Sequence, residues 1–478
     1  MKKSLLALGL SVAAAFPAAE AATLDLFVDK ASGQIYAEPG PGRTKLGTFQ
    51  QVEDAAPAAA APAAAAPAAA PAAAPVAAPT PVASAPAPAA APAPALAAAS
   101  SKKWYDRLSL RGYTQLRFNQ GLDSTAKELR APGDRFIGDN QSLGIRRARV
   151  ILSGDVSEHL SLYLQPDFAS TPTGSSTGNF GQLRDLYADI YFDKQREFRL
   201  RAGQSKIPYG WENLQSSQNR LTPDRADALN SAVRDERDLA LLFYYSPVEI
   251  AERFKMLVSS GLKGSGDYGI FGFGIYNGQG ANRLEANNSL HTVVHASYPF
   301  KFASGQIVEF GVDAYHGYFR TGTGAISVGG QSFTPTTNTR PRGFKDQRVA
   351  AHFTVYPQPF GLQGEWTVGQ GPELDLGQRR IDVQSLNGGY LQAMYRTASP
   401  VGMLTPYVKY QSYEGGAKFD TNAPRLDVEE VEAGLEWQFR PELELTMAYS
   451  HMNRTNVQTA PYNSVDGDLL RLQLQFNY

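Results

Sequence analysis

The sequence predicts an all-β protein: a sixteen-stranded antiparallel transmembrane β-barrel, preceded by a signal peptide, a short N-terminal segment and an Ala/Pro-rich linker. Three observations carry that expectation. Runs of roughly ten residues alternate apolar and polar side chains throughout 105–478, as tilted membrane-crossing strands do. The connections between them alternate long and short, the pattern of outside loops and periplasmic turns. The chain is also aromatic yet polar on average, with 23 Tyr and 24 Phe against a mean hydropathy of −0.31. Interleaving the two kinds of side chain produces that combination.

Taken in order, Lys2 and Lys3 precede the apolar run Leu5–Ala15, and Ala19-Glu20-Ala21 offers a small-x-small cleavage site. Residues 1–21 therefore read as a secretory signal peptide. Residues 22–54 form a small periplasmic segment. Here "LDLFV" and "QIYA" flank the turn-like "DKASG", which suggests a hairpin. Two strands alone are marginal in water, so a mobile arm is the favoured reading. Residues 55–100 are nearly all Ala and Pro. Such a linker is extended and reaches on the order of 100 Å; it is a spacer or a tether. No segment approaches the ~18 apolar residues of a spanning helix.

The predicted strands cover approximately 108–118, 143–154, 158–168, 183–193, 196–204, 239–246, 268–276, 290–299, 306–316, 346–356, 361–370, 388–397, 403–413, 428–439, 442–452 and 468–478. In the last of these, Leu470, Leu472, Leu474, Phe476 and Tyr478 share one face, while Arg471, Gln473, Gln475 and Asn477 share the other. "RFKMLVSS" at 253–260 is apolar enough to be a seventeenth strand. An odd strand would exchange long and short sides for everything after it, so 247–267 is assigned to a long periplasmic connection. A soluble sandwich would also alternate, but with shorter strands and less regular loops. A closed barrel is the one sheet a bilayer permits, because an open edge leaves backbone groups unpaired. The oily faces then meet outer-membrane lipid. The terminal Tyr478 falls at the aromatic girdle, and the last strand offers the signal that barrel assembly machinery reads.

Sixteen strands leave an aqueous lumen. The expected function is passive diffusion of small hydrophilic solutes across the bacterial outer membrane. Early strands turn Arg111, Arg117, Arg147, Arg149, Arg199 and Arg201 inward; late strands turn Glu365, Glu432, Glu436 and Glu444 inward. A basic wall facing an acidic one is therefore expected, with the arginines as the anion-recognising group. The third long loop, 205–238, is dense in charge, including Lys206, Glu212, Arg220, Asp224, Arg225 and Arg234, and "ADALNSAV" suggests a short helix. Folded inward, it would narrow the channel.

Other classes are less well supported. A net charge of −1 gives no case for a nucleic-acid partner. The absence of cysteine removes disulfides and thiolate chemistry. No histidine sits in a nucleophile motif. "GSGDYG" at 264–269 precedes a strand rather than a helix, so it is no phosphate cradle. His291 and His295 lie on one strand face about 13 Å apart, too far for one metal. No catalytic residue, cofactor or metal is expected. The alternatives are a structural or adhesive barrel with a periplasmic tether, or an outer-membrane barrel enzyme.

"GIRRARVILSGDVSEHLSLYLQPDFA", "LRDLYADIYFD", "LRAGQSKIPYGWENLQSSQNR" and "VRDERDLALLF" together resemble the phosphate-selective porin O and P family of Gram-negative bacteria. The resemblance covers roughly 105–478 and is strongest over 143–245. It implies a homotrimer of sixteen-stranded barrels, the third long loop constricting the pore, and a preference for small anions such as phosphate. Inward arginines and constriction lysines carry that preference in the family, and Arg147, Arg149, Arg199, Arg201 and Lys206 are the residues here that could fill such roles.

Overall fold

The computed structural model describes residues 23–29, 35–36, 39–41, 43–50, 103–125, 128–129, 143–170, 179–337 and 341–478. The signal-peptide and linker expectations lie outside the described residues. The chain forms two units that part near residue 96.

In the first unit, Thr23–Asp29 pairs antiparallel with both Ile35–Tyr36 and Arg43–Gln50, giving a three-stranded sheet. This corrects the expectation of a mobile arm or simple hairpin. The added strand, "RTKLGTFQ", pairs along the whole of the first, and a third strand is what takes an isolated hairpin past marginal stability.

The second unit is a closed ring of sixteen antiparallel strands. In chain order these are β1 (Leu108–Gly121), β2 (Gly144–Ser157), β3 (Leu160–Ser170), β4 (Asn179–Tyr191), β5 (Phe198–Lys206), β6 (Arg237–Tyr245), β7 (Phe271–Tyr276) and β8 (His291–Lys301). There follow β9 (Ile307–Phe319), β10 (Phe344–Val355), β11 (Phe360–Asp375), β12 (Arg380–Tyr395), β13 (Gly402–Gly416), β14 (Arg425–Arg440), β15 (Leu443–Thr455) and β16 (Ser464–Asn477). β16 closes on β1 from Leu469↔Gly121 to Asn477↔Tyr113. Tyr478 and Gly112 then exchange backbone hydrogen bonds of 2.6 and 3.0 Å. The Tyr478 ring covers Gly112, where a Cβ would come within 2.4 Å of it. A side chain at 112 would displace the terminal ring from the seam.

The strand faces sort as the alternation requires. Leu110, Phe168, Leu186, Trp366, Val368, Val408 and Val431 point outward and are exposed, while Gln115, Arg117, Asp313, Glu365, Thr367 and Gln473 point inward and are buried. At the periplasmic end the outward rings touch one another: Phe198 on Tyr245 at 4.6 Å, Phe243 on Phe273 at 5.2 Å, Tyr298 on Phe300 at 4.7 Å and Trp437 on Phe439 at 5.3 Å. Such a girdle marks the lipid–water boundary.

The assignment of 247–267 to a connection between strands holds, and one other connection changes length. The 253–260 segment is part of a helix, α3 (Val248–Ser259), whose Ile250, Phe254 and Leu257 are buried. Their i, i+4, i+7 spacing is helical, not strand-like. The connection read as 371–387 shrinks to 376–379, because β11 and β12 each run 16 residues. The strands continue as a paired ribbon beyond the length a bilayer needs.

Candidate functional site: the lumen and its constriction

Residues 207–236, between β5 and β6, turn into the barrel. Gly210, at φ +87°, makes the turn into the short helix α1 (Trp211–Leu214). Its N–H donates to Asp313 at 2.8 Å, and the N–H groups of Trp211 and Glu212 donate to the Glu365 carboxylate at 2.7 and 3.0 Å. Tyr209 shares a 2.6 Å hydrogen bond with Thr367. These anchors stand on β9 and β11. On β13, Lys409 reaches Glu212 at 2.5 Å. Around the second short helix, α2 (Asp227–Asn230), Arg454 of β15 holds Asp227 at 2.6 Å and Arg348 of β10 donates to Ser231 at 2.8 Å. Asp224 is shared by Arg117 of β1 at 2.7 Å, Arg471 of β16 at 3.2 Å and Arg146 of β2 at 3.4 Å. A loop fixed from so many strands around the ring spans the lumen.

Charge inside a protein is tolerated only when paired, and removing one partner of a buried pair is what destabilises. The loop follows that rule. Burial would raise the Asp224 carboxyl, but Arg117, Arg146 and Arg471 hold it well below the usual range. Burial likewise opposes ionisation of Glu236, and Arg225, Arg184 and Arg237 outweigh it.

Beside the loop lies a cavity of about 350 Å³. Its wall takes in Arg146, Arg147, Arg149 and Arg184 from the early strands and Lys409, Glu430, Glu432, Arg454 and Arg471 from the late ones. The loop supplies Asp224, Arg225, Asp227, Arg234 and Glu236.

The predicted residues divide by location. Arg147 and Arg149 line the cavity. Arg149 is clamped by Asp167 at 2.9 Å and by the Tyr113 hydroxyl at 2.8 Å. Arg147 donates to Gln115 at 2.7 Å and has no carboxylate within 4.0 Å among the described residues. Arg117 is spent on the loop, through Asp224 and the Pro223 carbonyl. Arg199 and Arg201 do not line the cavity: Arg199 holds Asp267 at 2.8 Å, and Arg201 meets Asp189 twice at 2.8 Å while stacking 3.9 Å over Tyr187. Arg111 is exposed near the periplasmic end, donating to Ser153. Lys206 points into the loop base, donating to the carbonyls of Leu214 and Gln215 at 2.8 Å each. In the loop, Glu212 pairs with Lys409, Arg225 with Glu236 at 2.7 Å, and Arg234 packs over the Phe419 ring. Arg220 donates to the carbonyls of Thr222 and Pro223, and its buried Nη1 has no partner among the described residues.

The expected separation of a basic wall from an acidic one is not what the lumen shows. Lys409, Arg454 and Arg471 rise among the late-strand acids, and Asp167, Asp185 and Asp189 sit among the early-strand arginines. Simple alternation places the first three inward and was signal enough to find them. Arg146 and Arg184 could not be found that way. The pairing of β1 with β2 slips after Gln115↔Arg147, so that Leu116 faces Ile145 and Arg146 is extra. A second slip, from Gln165↔Asp185 to Pro166↔Leu183, makes Arg184 extra on β4. Each bulge turns two consecutive side chains toward the lumen, one of them an added guanidinium at the constriction.

A family model, phosphate-selective porin O and P, matches residues 116–478. The chain belongs to that family. This porin is therefore an outer-membrane channel for passive diffusion of small hydrophilic solutes. No curated protein matches it. Among solved structures it is similar to OmpF of Salmonella typhi, at 12% identity over 78% of this chain and 98% of that one, TM-score 0.47. It is similar also to a loop L8 deletion mutant of OmpT of Vibrio cholerae, at 10% identity over 78% and 99%, TM-score 0.46. A third is the anion-selective porin from Comamonas acidovorans, at 10% identity over 78% and 99%, TM-score 0.44. Among the described residues, no group of three or more His, Asp or Glu is placed to hold a metal.

Proposed function

We propose that this porin favours small anions, phosphate-sized oxyanions among them, and selects them beside the infolded loop. One observation carries the reading: every acid on the cavity wall except Asp420 is paired with a guanidinium, and the wall's cations are not all used. Asp167, Asp224, Asp227, Asp235, Glu236, Glu430 and Glu432 each lie within 4.0 Å of a guanidinium. Among the described residues Arg147 faces the cavity with no carboxylate within 4.0 Å, and the guanidinium groups of Arg146, Arg220, Arg149 and Arg117 add to the positive potential it feels. A dehydrating anion finds an always-charged, forked donor there, while a cation finds few carboxylates without a guanidinium beside them.

The test is the reversal potential across a planar bilayer under a salt gradient. Arg147→Ala is expected to move it toward cations, and Arg196→Ala, in a solvent-accessible pair with Asp155 outside the cavity, to leave it nearly unchanged. Equal shifts from both would place selection elsewhere. The homotrimer belongs to the same reading and is tested by cross-linking in outer-membrane fractions. So does recognition of β16 by assembly machinery, for which truncation of Phe476–Tyr478 is the test.

A further inference from the structure

The periplasmic connection 246–270 is too long for a turn, and it does not hang below the barrel. Its helix α3 lays Ile250, Phe254 and Leu257 against Trp211 of the infolded loop, Ile307 at the start of β9 and Tyr356 just beyond β10. Past the helix the chain runs through "GLKGSGDYG" (261–269). Leu262 joins the same apolar cluster. Lys263 then extends to Glu436, with its ammonium 2.5 and 2.7 Å from the two carboxylate oxygens. Glu436 is on β14, near its periplasmic end, while the segment leaves β6 and returns to β7. In a closed ring of sixteen, β6 and β14 stand on opposite sides. The ion pair therefore bridges the lumen from wall to wall. Three further contacts hold the crossing. Gln215, in the infolded loop, donates to the Lys263 carbonyl at 2.6 Å. Arg199 of β5 donates to the Asp267 carbonyl at 2.7 Å and to its carboxylate at 2.8 Å.

We infer that residues 261–269 form a second constriction, a strap across the periplasmic exit in series with the infolded loop, and that Lys263 is the residue that positions it. The strap rests on the protein being a pore but not on anion preference. It limits the size of what leaves the cavity. It also screens Glu436, on the last stretch of the inner wall before the periplasm, where an uncompensated carboxylate would oppose an anion that had already passed the loop.

Single-channel conductance of the full mature chain tests this, with heat-modifiable migration in SDS gels confirming a folded barrel. Lys263→Ala and Glu436→Gln each remove the bridge, and each is expected to raise conductance by about twofold, because two narrow segments in series add their resistances. A clean reversal follows from the absence of native cysteine. The Lys263→Cys/Glu436→Cys double variant should conduct like Lys263→Ala when free and return toward the parent value when a short bis-thiosulfonate bridges the two thiols. Wild-type conductance in both single variants, with no response to bridging, would overturn the strap. The anion reading is judged by reversal potential and the strap by conductance, so either can fail alone.

Discussion

Residues 207–236 precede β6 and residues 246–270 follow it, and both turn into the lumen. The first segment is tied by charge and hydrogen bonds to β1, β2, β9, β10, β11, β13, β15 and β16. The second is tied mainly by three apolar side chains of α3 on one wall and by one ion pair on the other. Burying a large apolar side chain contributes roughly 2 kcal/mol, so α3 holds its wall without help. The glycine-rich stretch beyond it buries Leu262, sets Tyr268 against Tyr244 of β6, and otherwise depends on polar contacts. The loop is thus a fixed element that defines the cavity, and the strap is a fixed helix with a detachable end. On the proposed reading, selectivity rests on the more heavily tied of the two segments.

Deletion of 210–235 tests the difference most severely. It removes the element that spans the lumen, and conductance should rise several-fold, well beyond the change from Lys263→Ala, because the narrowest segment dominates resistance. An unchanged conductance would put the limiting segment elsewhere and reverse the ranking of the two elements.

Asp224→Asn is next. That carboxylate neutralises Arg117, Arg146 and Arg471 together, so its loss adds positive potential on the cavity wall without changing side-chain size. Reversal potential should become more anion-selective. Thermal stability should fall, because buried guanidinium groups lose their counter-charge, at a cost of about 3 kcal/mol. A cationic shift would show that the arginines are held out of the solute path.

How much of this was readable beforehand follows from where the determinants lie along the chain. The barrel was legible because each strand carries its own period of two, and lipid and water enforce it residue by residue. The inward loop was legible in outline from its length and its density of charge. The partners were not: Asp224 meets Arg117 and Arg471, each over a hundred residues away, and no local pattern encodes that. Arg146 and Arg184 hid behind bulges that break the alternation used to find everything else. Loop parity placed 247–267 correctly in a connection, and the helix within it was legible in the spacing of Ile250, Phe254 and Leu257, a period not sought in a chain of strands.

A smaller effect comes from pH. Asp420, in the connection between β13 and β14 and on the cavity wall, is pushed up to about 6 by burial, with Arg234 the charge that opposes the shift. Above that value it is ionised and adds a negative charge to the cavity. As pH falls through about 6 it takes up a proton, the wall gains net positive charge, and anion preference should increase between pH 7.5 and 5. Asp420→Asn should show the low-pH preference at both values. A variant that keeps the full pH response would assign it to another group, and a response in the strap's conductance instead would break the division of labour between the two segments.

The smallest expected effect is removal of residues 23–99 from the mature chain. The barrel closes on itself from β1 to β16, and every strand pairing in it lies within 108–477. Among the described residues, the three strands of 23–50 pair with one another. Conductance and reversal potential should therefore match the full-length protein in a planar bilayer. This also bears on the strap. If truncation alone raised conductance as Lys263→Ala is expected to, the exit would be narrowed by the N-terminal unit rather than by residues 261–269. If only the Lys263 variant raised it, the restriction belongs to the barrel's own connection.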